Sequence, residues 1–278
     1  MSRSKAIPSL TMNTGAAIPQ VGFGVWQIED GGIEVIEQAI EVGYRHLDTA
    51  MIYYNEREVG AAMRSSGVPR EELFVTTKLF NTDQGWQSSF DAFDASLERL
   101  GLDYVDLYLI HWPMPAVDKY VESWRALEKI AESGRARAIG VSNFMPEHLQ
   151  RLFDETGTVP AVNQIELHPE HQQRAASDFG KHHGILTEDY SPLANGRILD
   201  DARIRSIADA HGKTVPQVIL RWHVQLGNVV IPKTKTRARM EENLDIFDFE
   251  LSAEEMATVS SFDGGRRVGN DPYTVNGA

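Results

Sequence analysis

The chain has no cysteine, so it can form no disulfide, offer no thiolate nucleophile and bind no metal through sulfur. Long apolar runs are missing too. One of the longest, Val-Asp-Leu-Tyr-Leu-Ile at 105–110, is strand-sized and far short of the roughly 20 residues that span a bilayer. The start, MSRSKAIPSL, has basic residues but no continuous apolar stretch behind them, which speaks against a secretory signal and makes the cytoplasm the expected location. Positive charge is also in short supply. Against 40 Asp and Glu stand 27 Lys and Arg, a formal charge of −13, which is the wrong sign for general binding to a phosphate backbone. No Gly/Pro/Ser-rich or single-charge tract marks a linker, so one compact domain over 1–278 is expected, with neither nucleic acid nor membrane as partner.

What is present is a repeat of short β-rich runs and longer segments of helical period. The segment SLTMNTGAAIP alternates polar and apolar residues around Asn13-Thr14-Gly15 and predicts a β-hairpin. Strands are predicted at 21–25, 44–48, 73–78, 105–110, 136–141, 161–166, 185–190 and 229–232. Between them, Ile33, Ile36 and Ile40 share one helical face, as do Phe90, Phe93, Leu97 and Leu100, and these faces are expected to pack on the sheet. Asn55 with Glu58, Thr214 with Gln217 and Ser252 with Glu255 have the spacing of capping boxes. Eight such units imply a parallel (β/α)8 TIM barrel preceded by the hairpin. A doubly wound open sheet is the competing topology, but the segment after the first strand, GFGVWQ, lacks the third glycine of the dinucleotide fingerprint.

In a parallel barrel the side chains available for chemistry stand at the C-terminal ends of the strands. Asp48 ends the second predicted strand, with Tyr53 in the loop behind it; Lys78 ends the third, and His111 follows the fourth. An ammonium beside a phenol lowers the phenol pKa, and a carboxylate beside a buried ammonium keeps it charged. Lys78 is therefore expected to lower the Tyr53 pKa, Asp48 to balance Lys78, and His111 to orient a carbonyl oxygen, a set suited to protonating a developing alkoxide. Each residue alone also has an ordinary reading as core histidine, surface lysine, loop cap or rim packing. A second set, Ser142, Asn143, Gln164 and Tyr190, offers hydroxyl, amide and aromatic groups that suit a nicotinamide carboxamide and ring, or that simply fill the interior. A third, Lys233, Thr234 and Arg239, lies in a seven-residue stretch free of acids and suits a phosphate such as the 2′-phosphate of NADPH.

At these residues the chain resembles the aldo-keto reductase family over nearly its whole length. GYRHLDTAMIYYNE, LDYVDLYLIHWP and IPKTKTRARMEEN look like the three family signatures, with GVSNF and NQIELHP between them. The resemblance implies an NADPH-dependent oxidoreductase in which Asp48, Tyr53, Lys78 and His111 are the catalytic tetrad, Tyr53 being the general acid for a small aldehyde or ketone. It assigns the nicotinamide to Ser142, Asn143, Gln164 and Tyr190, adds Ser191 and Leu193 to the cofactor site, gives the 2′-phosphate to Lys233, Thr234 and Arg239, and the adenine to Glu242 and Asn243. No metal is implied, and a monomer is expected. Within the family the chain is similar to bacterial members of the 2,5-diketo-gluconate reductase type, which share its short segment after SPL.

Three positions depart from common family patterns: Tyr54 stands where glycine is frequent, Phe80 where tryptophan is, Thr234 where serine is. Trp26, Tyr54, Phe80, His111 and Trp112 are the expected substrate-binding residues, with Met114 beside them as part of an apolar wall, and the tail from Gly264 is expected to help close the pocket. Two other readings stay open. One is a cofactor-binding sensor or interaction subunit with little turnover. The other is a metal-dependent barrel hydrolase, suggested by nine histidines and by the pairs His46 with Asp48 and His168 with His171.

Overall fold

The computed structural model describes residues 7–28 and 31–277. Most of the basic start, MSRSKA, and the final Ala278 lie outside the described residues. The hairpin forms as expected: β1 (Ser9–Thr11) pairs antiparallel with β2 (Ala17–Pro19). Its turn depends on Gly15, whose φ of 83° is costly for a residue with a Cβ.

Eight parallel strands follow in sequence order around one sheet: β3 (Phe23–Gly24), β4 (His46–Asp48), β5 (Phe74–Leu79), β6 (Val105–Ile110), β7 (Ala136–Ser142), β8 (Val162–Glu166), β9 (Leu186–Tyr190) and β10 (Val229–Val230). The sheet closes on itself. Val21 bridges in parallel to Val230, Gly22 N–H donates to Val230 O at 2.9 Å and Val230 N–H to Gln20 O at 3.0 Å. Among the described residues the eight-stranded sheet keeps no open edge, the usual benefit of a barrel. The first and last strands are shorter than predicted because closure replaces regular ladder with isolated contacts.

The helices are α1 (Gly32–Val42), α2 (Glu56–Ser65), α3 (Trp86–Leu100), α4 (Tyr120–Glu132), α5 (Pro146–Glu155), α6 (Arg174–His182), α7 (Ala202–His211), α8 (Val215–Gln225), α9 (Arg237–Leu244) and α10 (Ala253–Ser260). The face of α3 packs as predicted, with Phe93 and Leu100 fully buried and Phe90 against the same core. On α1, Ile36 and Ile40 are buried but Ile33 is exposed, because it sits in the first turn, beyond the reach of the barrel. Close packing of α2 on α3 requires Gly60, where an added Cβ would lie 1.9 Å from Leu100 O. The capping boxes at Thr214 and Ser252 are present. Asn55 makes no such cap: its amide donates to Val25 O at 2.8 Å and its carbonyl accepts from Thr49 at 2.8 Å, tying the loop after β4 to the end of β3.

Side chains alternate between the barrel interior and the helix layer. On β5, Thr76 and Lys78 face inward while Thr77 Oγ1 donates outward to Glu56 of α2 at 2.6 Å. The interior layer nearest the hairpin is apolar, with Phe74, Leu107, Ala138, Val162 and Val229 around Met12 and Ile18. Further up, toward the C-terminal rim, the interior becomes polar, with His46, Asp48, Lys78, Gln164 and Glu188 all buried.

Candidate active site

The strand ends bring the four expected residues together. Lys78 is fully buried and its Nζ donates to Asp48 Oδ1 at 2.7 Å and to Thr49 O at 2.9 Å. Tyr53 sits in a one-turn 3-10 helix, Met51–Tyr53, and its ring lies with its centroid 5.2 Å from Lys78 Nζ. The rings of Tyr53 and His111 meet edge to face at 6.0 Å. Burial opposes the charge on Lys78, but Asp48, Tyr53 and Glu188 outweigh it and raise its pKa. The expectation for Tyr53 needs correction: Lys78 does pull its pKa down, yet burial is the larger effect and the net direction is up. The phenol therefore stays protonated at neutral pH. Burial, helped by Lys78, pushes His111 down to about 3, leaving a neutral imidazole that can donate a hydrogen bond without carrying charge.

The second set also converges. Asn143 takes a φ of 64°, a left-handed backbone that Asn tolerates better than most residues, and its N–H donates to Gln164 O at 2.9 Å. Its amide donates to His111 O at 3.0 Å and Ser142 Oγ at 3.1 Å, while Tyr190 OH donates to Asn143 Oδ1 at 2.8 Å. Ser142 Oγ donates to Gln164 O at 2.8 Å. The turn after β9 holds Ser191, Ala194 and Asn195 at positive φ, with Leu193 half-buried beside them.

At the exit of β10, Thr234 is buried and accepts from Thr236 N–H at 3.1 Å. Arg237 is bound to Glu41 and Glu241. Lys233 and Arg239 are exposed, and among the described residues neither has an acidic partner. Burial and the like charge of Lys235 lower the Lys233 pKa, the condition of a cation lacking its anion. That imbalance fits a phosphate group. Glu242 accepts from the Thr214 hydroxyl, and Asn243 is buried with its side chain against Tyr44.

Of the expected pocket wall, Phe80 lies 6.3 Å from the His111 ring and Trp112 6.4 Å from it. Trp26 is half-exposed and Tyr54 is 79% exposed at a φ of 55°. Met114 is 3% exposed, in the loop after β6 at a φ of 50°. The tail crosses the C-terminal face of the barrel. Val268 and Gly269 N–H donate to the Glu166 carboxylate at 2.6 and 2.8 Å, Asn276 accepts from Ala116 N–H at 2.7 Å, and Asn81 donates to Gly277 O at 2.8 Å.

The histidine pairs do not converge as a hydrolase site would need. His168 Nε2 lies 3.0 Å from Glu166 Oε1, beside the tail. His46 and Asp48 share a cluster with Glu188, but Lys78 and Gln164 already occupy one oxygen each of Asp48. The sequence reading missed Glu188, Glu166 and the Asp189–His223 pair (2.6 Å). Period-two alternation was the available signal for the first: Glu188 lies two residues before Tyr190 on one strand and so shares its inward face.

A closed parallel barrel with a buried ion pair and a phenol at its C-terminal rim has the architecture of a TIM-barrel enzyme. Residues 20–263 match the Aldo/keto reductase family, and the chain belongs to it. An aldo-keto reductase of Mycolicibacterium smegmatis is 52% identical over 270 residues, covering 97% of this chain and 98% of the relative. The 9,11-endoperoxide prostaglandin H2 reductase of Trypanosoma cruzi is 47% identical over 268 residues, covering 95% and 94%. Among solved structures, a mutant of Gox0644 in complex with NADPH has a TM-score of 0.93 at 46% identity, covering 98% of this chain and 99% of that one. No described helix is long and apolar enough to cross a membrane.

Proposed function

We propose that this chain is an NADPH-dependent reductase of aldehydes, ketones or dicarbonyls, working as one monomeric barrel domain over 1–278 in the cytoplasm. The observation that carries the reading is the buried Lys78–Asp48 pair set against the Tyr53 ring. NADPH, when bound, supplies the hydride. Tyr53 is the general acid: its hydroxyl gives a proton to the carbonyl oxygen as charge develops there. Lys78 stabilises the phenolate that remains, and Asp48 holds Lys78 charged and in place. Neutral His111 donates to the same carbonyl oxygen and orients it.

Ser142, Asn143 and Gln164 hold the carboxamide, while Tyr190, its hydroxyl anchored on Asn143, presents its ring to the nicotinamide. Ser191 and Leu193 line the turn beside it. The unbalanced cations Lys233 and Arg239, with Thr234, take the 2′-phosphate, and Glu242 and Asn243 flank the adenine. The substrate enters past Trp26, Tyr54, Phe80 and Trp112. Similarity to the 2,5-diketo-gluconate reductase type in the short SPL segment supports small polar carbonyl compounds. A crystallised relative's complex with NADPH supports the cofactor.

Steady-state NADPH oxidation with methylglyoxal, phenylglyoxal, aromatic aldehydes and sugars tests this. Turnover with one of these classes is expected, and Tyr53→Phe should lower it by about 10²- to 10⁴-fold while NADPH still binds. Wild-type turnover in Tyr53→Phe would sink the mechanism. Tight NADPH binding with no turnover on the whole panel would favour a sensor.

A further inference from the structure

Beneath the four rim residues lies a carboxyl group that the reaction above does not use. Glu188 projects from β9 into the barrel and is fully buried. It stands in register with Gln164 on β8, whose Nε2 donates to Asp48 Oδ2 at 2.7 Å and to Glu188 Oε2 at 2.9 Å. A carboxylate can only accept, so Asp48, paired with Lys78, fixes the nitrogen end of the Gln164 amide toward itself, and both N–H groups are then used inside the barrel. The amide carbonyl is what Gln164 has left to offer a cofactor.

We propose that Glu188 is a positioning residue for the cofactor: by sharing the Gln164 amide with Asp48 it holds the Gln164 carbonyl toward the carboxamide, and its own charge sets how tightly NADP+ is held relative to NADPH. The inference rests on the assignment of Gln164 to the carboxamide made above.

The groups facing Glu188 come from four elements. From β4, His46 Nε2 lies 3.5 Å away from Oε1 and is also 3.0 Å from Thr76 Oγ1 of β5. Asp48 is in its ion pair with Lys78. Tyr53 overhangs them, and Asp189, next on β9, faces outward to His223 at 2.6 Å and Asn228 at 2.9 Å. Burial holds His46 down at about 4, so it is neutral throughout the physiological range, and the Lys78 and Tyr53 values are both raised. Burial first and Asp48 second push Glu188 up to about 8. Glu188 therefore gains charge as the pH rises through about 8, while His46, already held low, and Lys78 and Tyr53, both raised, are not the groups that change there. The oxidised nicotinamide ring is cationic and the reduced one is not, so a carboxylate one side chain away favours the oxidised form.

Dissociation constants for NADP+ and NADPH, from quenching of tryptophan fluorescence, test this without turnover. In the wild type the ratio Kd(NADPH)/Kd(NADP+) is expected to rise roughly 3- to 10-fold from about pH 7 to about pH 9. Glu188→Gln keeps an acceptor for Gln164 but cannot ionise, and its ratio should stay flat. Glu188→Leu removes the acceptor, frees the amide and should weaken both cofactors by about 10-fold, with Glu188→Gln restoring the affinity at about pH 7. If Glu188→Gln keeps the wild-type pH dependence, the inference is overturned, and that arm stands even if Glu188→Leu does not fold. A Glu188→Leu protein that folds and binds both cofactors like the wild type would overturn it as well. Gln164→Ala separates the two levels. If it leaves both constants unchanged, the assignment of Gln164 fails; if it weakens them while the Glu188 variants behave as wild type, only the role of Glu188 fails.

Discussion

The two ends of this barrel are built from the same inward-facing strand positions and hold opposite chemistry. At the hairpin end, Leu107, Val162 and Phe74 pack on Met12 and Ile18; one or two positions further along the same strands stand Gln164 and Lys78. Apolar burial stabilises without direction, so the lower layer needs only apolar side chains of matching volume. Buried polar groups need specific partners, and the upper layer meets that need by sharing: Asp48 serves Lys78 and Gln164, and Gln164 serves Asp48 and Glu188. A site made this way is ordered before a ligand arrives, which favours catalysis by preorganised charge.

The contrast is broken most directly from above. Lys78→Met keeps the volume and removes the charge, leaving Asp48 buried with only Gln164 for support. It should cost about 3–5 kcal/mol of stability and abolish reduction, seen together in denaturant melts and turnover. Retained stability would mean that the ion pair is not a structural element. Leu107→Ala, from below, should cost about 2–5 kcal/mol with kcat/KM per folded molecule unchanged. Loss of kcat/KM in that variant would mean that the two layers are not separable.

The cofactor end sharpens the same comparison at the surface. Arg237 is bound to Glu41 and Glu241, whereas Arg239, two residues on, has no acidic partner among the described residues. If Arg239 is reserved for phosphate, Arg239→Ala should raise KM for NADPH about 10- to 100-fold, the equivalent of one charge-assisted hydrogen bond, and leave NADH unaffected. An equal rise for both cofactors would place Arg239 outside the 2′-phosphate site.

The alternation of eight β-rich runs with helical segments made the barrel legible, because strand period and helix period are local. Asp48 and Lys78 are legible for the same reason, being the last inward positions of their strands, and Tyr53 and His111 follow in the loops just beyond strand ends. What was not legible depends on distance in space. Period-two alternation puts Glu188 on the inward face, but its partners are not local: Gln164, which it holds, meets Asp48 across 116 residues of sequence. The direction of the Tyr53 pKa shift is hidden on similar grounds: motif spacing shows the neighbouring ammonium but not the depth of burial that outweighs it. Asn55 had the spacing of a helix cap and was claimed by Val25 and Thr49 instead, a tertiary partner winning over a local one.

Tyr54 is the opposite of the shared upper layer, a large side chain held in a left-handed backbone with most of its surface in water. A side chain in that conformation costs of order 1 kcal/mol over glycine, and nothing buried offsets it. The strain falls directly beside Tyr53, on the loop that Asn55 ties down, so it is not spread through a flexible segment. If Tyr54 is retained for contact with substrate at the mouth of the pocket, Tyr54→Gly should stabilise the folded chain by about 0.5–1 kcal/mol, less any gain in unfolded-state entropy, and raise KM for aromatic aldehydes while KM for methylglyoxal, too small to reach the ring, stays as it was. KM values unchanged from the wild type for both substrate sizes would leave the phenol of Tyr54 with no part in recognition, and would confine substrate contact to Phe80, His111 and Trp112 further inside.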